Sequence, residues 1–477
     1  MRRGRNLREY RSNHLRKKIL TLAERRKQAQ DRLVNRKKSK VIIHGPPTED
    51  QKQTAAEHRR AQSSAEARGR EIQNPSDKQS VGAHRRAQSS ANARDRDRQH
   101  RERDSKIDWS AIPSAKPFDL KFIPYDEYSY SASKPVHVCH VIESLGLGGA
   151  QTMMLELVNG LNNYFGEHVV NHVVFIHPKA KLMNKKMYTS YGVKPVTLHP
   201  GDLKPYIKQH NVDIVFQHRI AVSRCLKKYI PKGVKYLLLN HTWNSLTKMG
   251  AFIDCDLFVS VCDFLHNRTK YNKHIHKSRQ LVVLNGVEND YIAKIKPAKI
   301  EGDFITGRCH RLISSKFRID SLTWMNRKVL KVVPGFRHVL IGTHKDAKSF
   351  SNKFDWFTYE GTIQDRIKKM SILKSFDAYF YETFSDEGAS IAVLESLACG
   401  VPVLTKSLGG TGEIITNGVN GFICKDRQLF EFRIKQLAGN KEMMEKVRKS
   451  TIEDFNARLH VKHTACKYVQ IFEALMK

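Results

Sequence analysis

The sequence predicts an α/β architecture of two doubly wound, parallel-sheet domains behind a basic low-complexity tail. Three observations carry that expectation. Apolar strand-like runs alternate with helix-period segments from residue 134 onward. The alternation runs through two successive series. Residues 1–115 lack the large apolar side chains that a core needs.

The tail comes first. Residues 1–115 hold 30 Lys and Arg against 14 Asp and Glu, a net charge of +16 out of +36 for the 477-residue chain. HRRAQSSAEARGRE at 58–71 returns as HRRAQSSANARDRD at 84–97, a period of 26 residues. Two copies with polar faces cannot build a stacked core. A solvated arm is expected, with a basic amphipathic helix over 1–40 as the alternative. Residues 116–477 carry the other +20. Such a surface attracts polyanions: an anionic membrane surface, nucleic acid or acidic glycans. The amino terminus has charge but no apolar run behind it, so no secretory signal is read. No stretch reaches the length of a spanning helix. The eight cysteines form no Cys-x-x-Cys pair and sit mostly in apolar runs. A cytoplasmic protein, free or peripheral at a membrane, is expected.

The first series opens with VHVCHVIES (136–144), a strand, followed by the turn LGLGG (145–149). AQTMMLELVNGLNNYF (150–165) has helical apolar spacing. Strand runs follow at 172–177, 212–217, 235–240, 257–261 and 281–285. The second series reads DFITGR, RHVLIG, DAYFYE, VPVLT and GFICK. The domains are expected over about 130–300 and 301–455, with a terminal helix over 456–477 returning to the first. Sheets of this kind bind ligands at the carboxyl ends of their strands, so a cleft between two of them is the expected site.

The most informative stretch is residues 381–426, YETFSDEGASIAVLESLACGVPVLTKSLGGTGEIITNGVNGFICKD. Glu387 and Glu395 are separated by seven residues and bracket a helix start at Gly388, Ala389 and Ser390. Backbone N–H groups at such a start suit a phosphate. Ala398-Cys399-Gly400-Val401-Pro402-Val403 follows, then Gly409, Gly410, Glu413, Gly418, Asn420 and Gly421. This ordered string resembles the retaining GT-B glycosyltransferases of glycosyltransferase family four. The resemblance spans about 134–477.

Other landmarks fall in that family's order. Gly148-Gly149-Ala150-Gln151 matches its glycine turn at the donor phosphates. Asn240-His241-Thr242 lies where it places a histidine beside the donor sugar. In ITGRCHRLISSKF, Arg311 and Lys316 best fit its Gly-Arg-Leu…Lys, with Arg308 as an alternative because Cys309-His310 are inserted. The resemblance implies a nucleotide-sugar donor, no cofactor and no metal. It implies that Glu395 holds ribose hydroxyls, that Glu387 stabilises charge at the anomeric carbon, and that Arg311 and Lys316 meet the departing diphosphate. His241 would position a sugar hydroxyl or the acceptor. The acceptor, whether glycan, lipid or nucleic acid, is left open. Asp254-Cys255-Asp256 looks like a metal motif of another glycosyltransferase architecture, but its place before a strand favours a structural role. Two alternatives remain: a catalytically degenerate GT-B body that binds polyanions, and a glycosyltransferase that modifies DNA.

Overall fold

A computed structural model describes residues 118–143, 148–176, 188–218, 226–241, 255–269, 279–310, 312–313, 316–344, 347–406 and 408–477. The basic tail and its repeat lie outside the described residues. Residues 108–477 form one compact unit.

Two parallel sheets make up this unit. The first contains β1 (Val136–Ile142), β2 (Val169–Ile176), β3 (Val196–Leu198), β4 (Ile214–Gln217), β5 (Lys235–Asn240), β6 (Leu257–Ser260) and β7 (Arg279–Val282), in the order β3-β2-β1-β4-β5-β6-β7. The second contains β8 (Phe304–Cys309), β9 (Phe336–Ile341), β10 (Phe357–Gly361), β11 (Ala378–Tyr381), β12 (Val403–Thr405) and β13 (Gly421–Ile423), in the order β10-β9-β8-β11-β12-β13. Each order reverses direction once, between β1 and β4 and between β8 and β11. Those two switch points are where a doubly wound sheet opens a crevice for a ligand. Central strands such as β4 and β11 are buried along their whole length, which explains their unbroken apolar runs. The edge strands β3 and β10 are short and largely exposed, so neither has an apolar run to mark it in the sequence.

The helices follow the sequence pattern. Helix α1 (Gly149–Phe165) starts behind Gly148 and buries Met153, Leu157 and Leu161 at helical spacing. Helices α2 (Asp263–Thr269), α3 (Arg366–Lys374) and α4 (Ile391–Ala398) each contact residues of the other lobe. Asp365 caps α3 by accepting from Lys368 N. Helices α5 (Arg427–Ala438) and α6 (Lys441–Arg458) are capped in the same way by Asp426 and Asn440. The last helix, α7 (Val461–Met476), lies against α1 rather than against the second sheet. It seats Tyr468 and Phe472 against Phe216 of the first sheet. Val461 approaches so closely that a Cβ on Gly160 would lie 2.7 Å from its side chain.

The sequence pattern marks no element in the segment just before β1. That segment forms a strap across α7. Tyr128 O–H, Ser131 N and Oγ, and Ala132 N all donate to the carboxylate of Glu473. The amide of Gln470 brackets the backbone of Ile123. One buried carboxylate and one buried amide thus hold some ten residues of strap in place. Among the described residues no helix is long and apolar enough to cross a membrane. The seven described cysteines are free thiols.

Candidate active site

The residues after β8 and β11 meet at the second sheet's switch point. Arg308, near the end of β8, is fully buried. Its guanidinium donates to the carbonyls of Glu382 and Lys316, 2.7 Å each, and lies over the Tyr381 ring. Arg308 is therefore a structural clamp that fixes the chain leading to Lys316. Arg311 lies outside the described residues.

Lys316 Nζ is 2.7 Å from Glu387 Oε1. Tyr381 O–H donates to Glu387 Oε2 at 2.9 Å and lies 3.0 Å from Ser390 Oγ. His310 Nε2 is 3.5 Å from the same carboxylate. Burial pushes the Glu387 carboxyl up, but His310 and Lys316 outweigh it and hold the group down to about 2. Burial keeps His310 itself below its ordinary value, so Lys316 supplies the cation at neutral pH. Glu387 is thus an ionised carboxylate in a nearly closed pocket. His310, an insertion by the family spacing, is part of that pocket.

Glycines let the second lobe press against the first here. Gly409 has φ of 65° and lies so close to Glu387 that a Cβ would sit 2.2 Å from the Glu387 carbonyl oxygen. A Cβ on Gly388 would sit 2.7 Å from the His241 carbonyl oxygen. The loop carrying Glu387 therefore abuts the residue that follows β5. Ala389 O accepts from Asn285 Nδ2 of the first lobe, 3.3 Å. Glu413 reaches across to accept from Asp263 N and Phe264 N, 2.7 Å each, at the start of α2. Arg268 on α2 pairs with Asp386 at 3.0 Å.

Glu395 is on α4, in the second turn after the N-cap Ser390, and is buried. Its Oε1 accepts from Lys369 Nζ of α3 at 2.6 Å. Burial works against the Lys369 ammonium, but Glu395 holds its pKa above the ordinary value. A second pair continues the network into the first lobe. Arg366 of α3 lies between the rings of Tyr191 and Tyr291, 4.0 and 3.8 Å from their centroids, and donates to Glu156 of α1 at 2.8 Å. Glu156 also accepts from Tyr191 O–H at 2.6 Å and Glu288 N at 2.9 Å. Gly148 is half-buried, and Gly149 opens α1 with nothing within 4 Å of where a Cβ would stand.

The structure thus brings together Lys316, Glu387, Gly388, Ser390 and the His241 backbone. Glu395 sits in an adjoining pocket, and Gly148 and Gly149 belong to the other lobe. Sequence reasoning missed His310, Tyr381 and Lys369. His310 lies beside a motif and Tyr381 opens the 381–426 stretch, whereas Lys369 belongs to no motif. Asp254 lies outside the described residues. Asp256 accepts from Tyr236 N at 2.7 Å, a structural contact between strands.

Glu288, Asp290 and His460 bring three potential metal ligands within 4.8 Å of one another at the hinge. His460 Nδ1 accepts from Lys462 N at 3.1 Å. The ring proton therefore faces Glu288 from Nε2, 3.1 Å away. Binding a metal at Nε2 would push that proton onto a nitrogen already facing an N–H donor. The cluster is a hydrogen-bonded contact between His460 and Glu288 on this geometry.

Comparison with known proteins bears on the fold and on the second lobe. Residues 334–454 match the family described as Glycosyl transferases group 1. Two uncharacterized glycosyltransferases of Methanocaldococcus jannaschii are similar. One is 28% identical over 158 residues, which is 32% of this chain and 38% of that protein. The other is 22% identical over 265 residues, 50% of this chain and 69% of that protein. The match thus spans little more than a third of the first relative. Among solved structures, Anabaena HepE in complex with UDP and glucose is 14% identical with a TM-score of 0.54, covering 71% of this chain and 99% of that one. The pneumococcal O-GlcNAc transferase GtfA in complex with UDP and GlcNAc is 9% identical with a TM-score of 0.55, covering 72% and 99%. An alpha-glucosyltransferase in complex with UDP-glucose and DNA containing an abasic site is 13% identical with a TM-score of 0.53, covering 71% and 100%. The fold is GT-B. Fold and matched segment together support a glycosyltransferase.

Proposed function

We propose that the chain transfers a sugar from a nucleotide-sugar donor to an acceptor with retention of anomeric configuration and without a metal ion. The observation that carries this reading is Glu387, an ionised carboxylate enclosed by Lys316, His310 and Tyr381 at the second sheet's switch point. Donor binding would exchange one anion for another. Lys316 turns from Glu387 toward the diphosphate, and the carboxylate is released to face the anomeric carbon. As the glycosidic bond breaks, positive charge grows on the sugar and negative charge on the diphosphate. Glu387 offsets the first. Lys316, Arg311 and the amides at Gly148–Gly149 and Gly388–Ser390 offset the second. Glu395, which keeps its second oxygen beyond Lys369, would take the ribose hydroxyls. His241 would hold a sugar hydroxyl or the acceptor. Retention follows from the family resemblance.

The acceptor is proposed only as a class: a glycan, a lipid or nucleic acid. A neighbour that holds UDP-glucose with DNA keeps the DNA-modifying reading in view. The tail's +16 charge supports attachment to an anionic membrane or to nucleic acid, at the cytoplasmic face. A degenerate polyanion-binding body is disfavoured, because a buried charged pocket would have no use in it.

The test is nucleoside diphosphate release from a panel of nucleotide-sugars, with and without EDTA. At least one donor should be hydrolysed, at a rate unaffected by EDTA. Activity that falls in EDTA and returns with manganese would instead assign a metal to the reaction and reopen Asp254 and Asp256.

A further inference from the structure

The ion pair of Lys369 and Glu395 holds hydrogen-bonding capacity that the rest of the protein leaves open. Lys369 Nζ donates to Glu395 Oε1 at 2.6 Å. The Glu395 side chain is 4% exposed and that of Lys369 is 18%. The ammonium is thus the more open member, and a ligand that reaches the carboxylate meets it as well.

An ammonium has three N–H donors and no acceptor. Lys369 spends one of them on Glu395. Its other electrostatic neighbours are Cys309 and Glu156. Neither is a waiting acceptor. Burial pushes the Cys309 thiol up to about 12, so it keeps its proton and accepts only weakly. Glu156 already accepts from Arg366 and Tyr191 on one oxygen and from Glu288 N on the other. Two N–H groups of Lys369 are therefore uncommitted among the described residues. Donors held in so buried a place cost stability until an oxygen reaches them.

The place of the pair points to a ligand. Cys309 ends β8, one of the two strands that flank the second switch point. The ribose of a nucleotide carries two adjacent hydroxyls, each both donor and acceptor. A carboxylate can only accept and an ammonium can only donate. Side by side, Glu395 and Lys369 offer one of each, spaced by a hydrogen-bond length, as the two hydroxyl oxygens are.

We propose that Lys369 is a specificity-determining residue for the donor: it donates to one ribose hydroxyl while Glu395 Oε2 accepts from the other, so the pair selects ribonucleotides over both deoxy forms. Lys369 keeps its bond to Oε1 throughout, because its remaining N–H groups suffice. The inference rests on the donor reading above and divides between two side chains the hydroxyls given there to Glu395 alone.

The test is titration calorimetry with the full chain. The probes are the ribonucleoside diphosphate that binds most tightly and its 2′-deoxy and 3′-deoxy forms. In the wild type, loss of either hydroxyl should weaken binding about tenfold or more, as for a hydrogen bond to a charged group. Lys369→Met should abolish one of these two ratios and keep the other. Glu395→Gln should shrink the ratio that Lys369→Met keeps and retain the one that it abolishes. Unchanged ratios in Lys369→Met overturn the proposal. So does loss of both, which makes Lys369 only a support for Glu395. Should Lys369→Met fail to fold, Glu395→Gln decides: one surviving ratio upholds the proposal, and two shrunken ratios assign both hydroxyls to the carboxylate and overturn it. A ribonucleotide bound by the wild type without regard to either hydroxyl overturns the proposal alone. No binding of any ribonucleoside diphosphate removes the donor reading, and the proposal with it.

Discussion

Replacing Glu387 with glutamine should lower turnover by about a hundredfold to a thousandfold, the usual cost of losing one preorganised electrostatic group. Glutamine keeps the shape and can still accept from Tyr381, so the pocket should stay intact. What disappears is the charge facing the sugar as it becomes cationic. The loss should fall mainly on kcat, with KM changed little, because the interaction strengthens only in the transition state. The same substitution should alter stability against pH. The Glu387 carboxyl lies at about 2 in the fold against an ordinary 4.5, so its stabilisation is present above the ordinary value and lost as pH falls through the folded one. Wild type should therefore lose stability on acidification across that window, and Glu387→Gln should lack that component. Full activity in Glu387→Gln would remove the residue from the chemistry.

Arg366→Leu should be the most damaging single change to stability, costing about 3–5 kcal/mol, because it strands the fully buried Glu156 without its cation. Burial already raises the Glu156 carboxyl against the pull of Arg366, the Tyr191 hydroxyl and the Glu288 amide. With Arg366 gone, the group must protonate or drag water in. The pair also joins α1 of the first lobe to α3 of the second, so its loss loosens the cleft. The double variant Glu156→Leu, Arg366→Leu should recover most of the loss, since two apolar groups can replace a buried pair. Urea unfolding of the three variants measures both effects. A single-variant cost within about 0.5 kcal/mol, the range of ordinary surface substitutions, would mean that the pair is not needed.

The sequence makes the fold legible wherever burial is complete. β5 at 235–240 matches its apolar run residue for residue, because both faces of a central parallel strand are covered. β3 and β10 escaped notice as exposed edges. The strap over 118–133 escaped because Glu473, its anchor, lies more than 300 residues away. Helix α4 begins at Ile391, just after the expected start at Gly388, Ala389 and Ser390, since Ser390 stands in the N-cap position. Spacing located the two glutamates of the site. It gave no hint of Lys369 against Glu395 or of Arg366 against Glu156, because each pair joins separate helices and neither cation belongs to a motif. Arg308, the alternative to Arg311 by spacing, has its guanidinium already occupied by two backbone carbonyls.

Titration calorimetry of nucleoside diphosphates into the wild type and into Glu395→Gln tests the central claim most directly. Glutamine keeps the volume beside Lys369 but loses the charged acceptor expected to hold the ribose. At least one nucleoside diphosphate should bind the wild type at one per chain. Its affinity should fall about tenfold or more in the variant, in line with roughly 1.5–3 kcal/mol for a hydrogen bond to a charged group. Equal affinity in both proteins, or no binding of any nucleoside diphosphate, would contradict a donor site at Glu387 and Glu395.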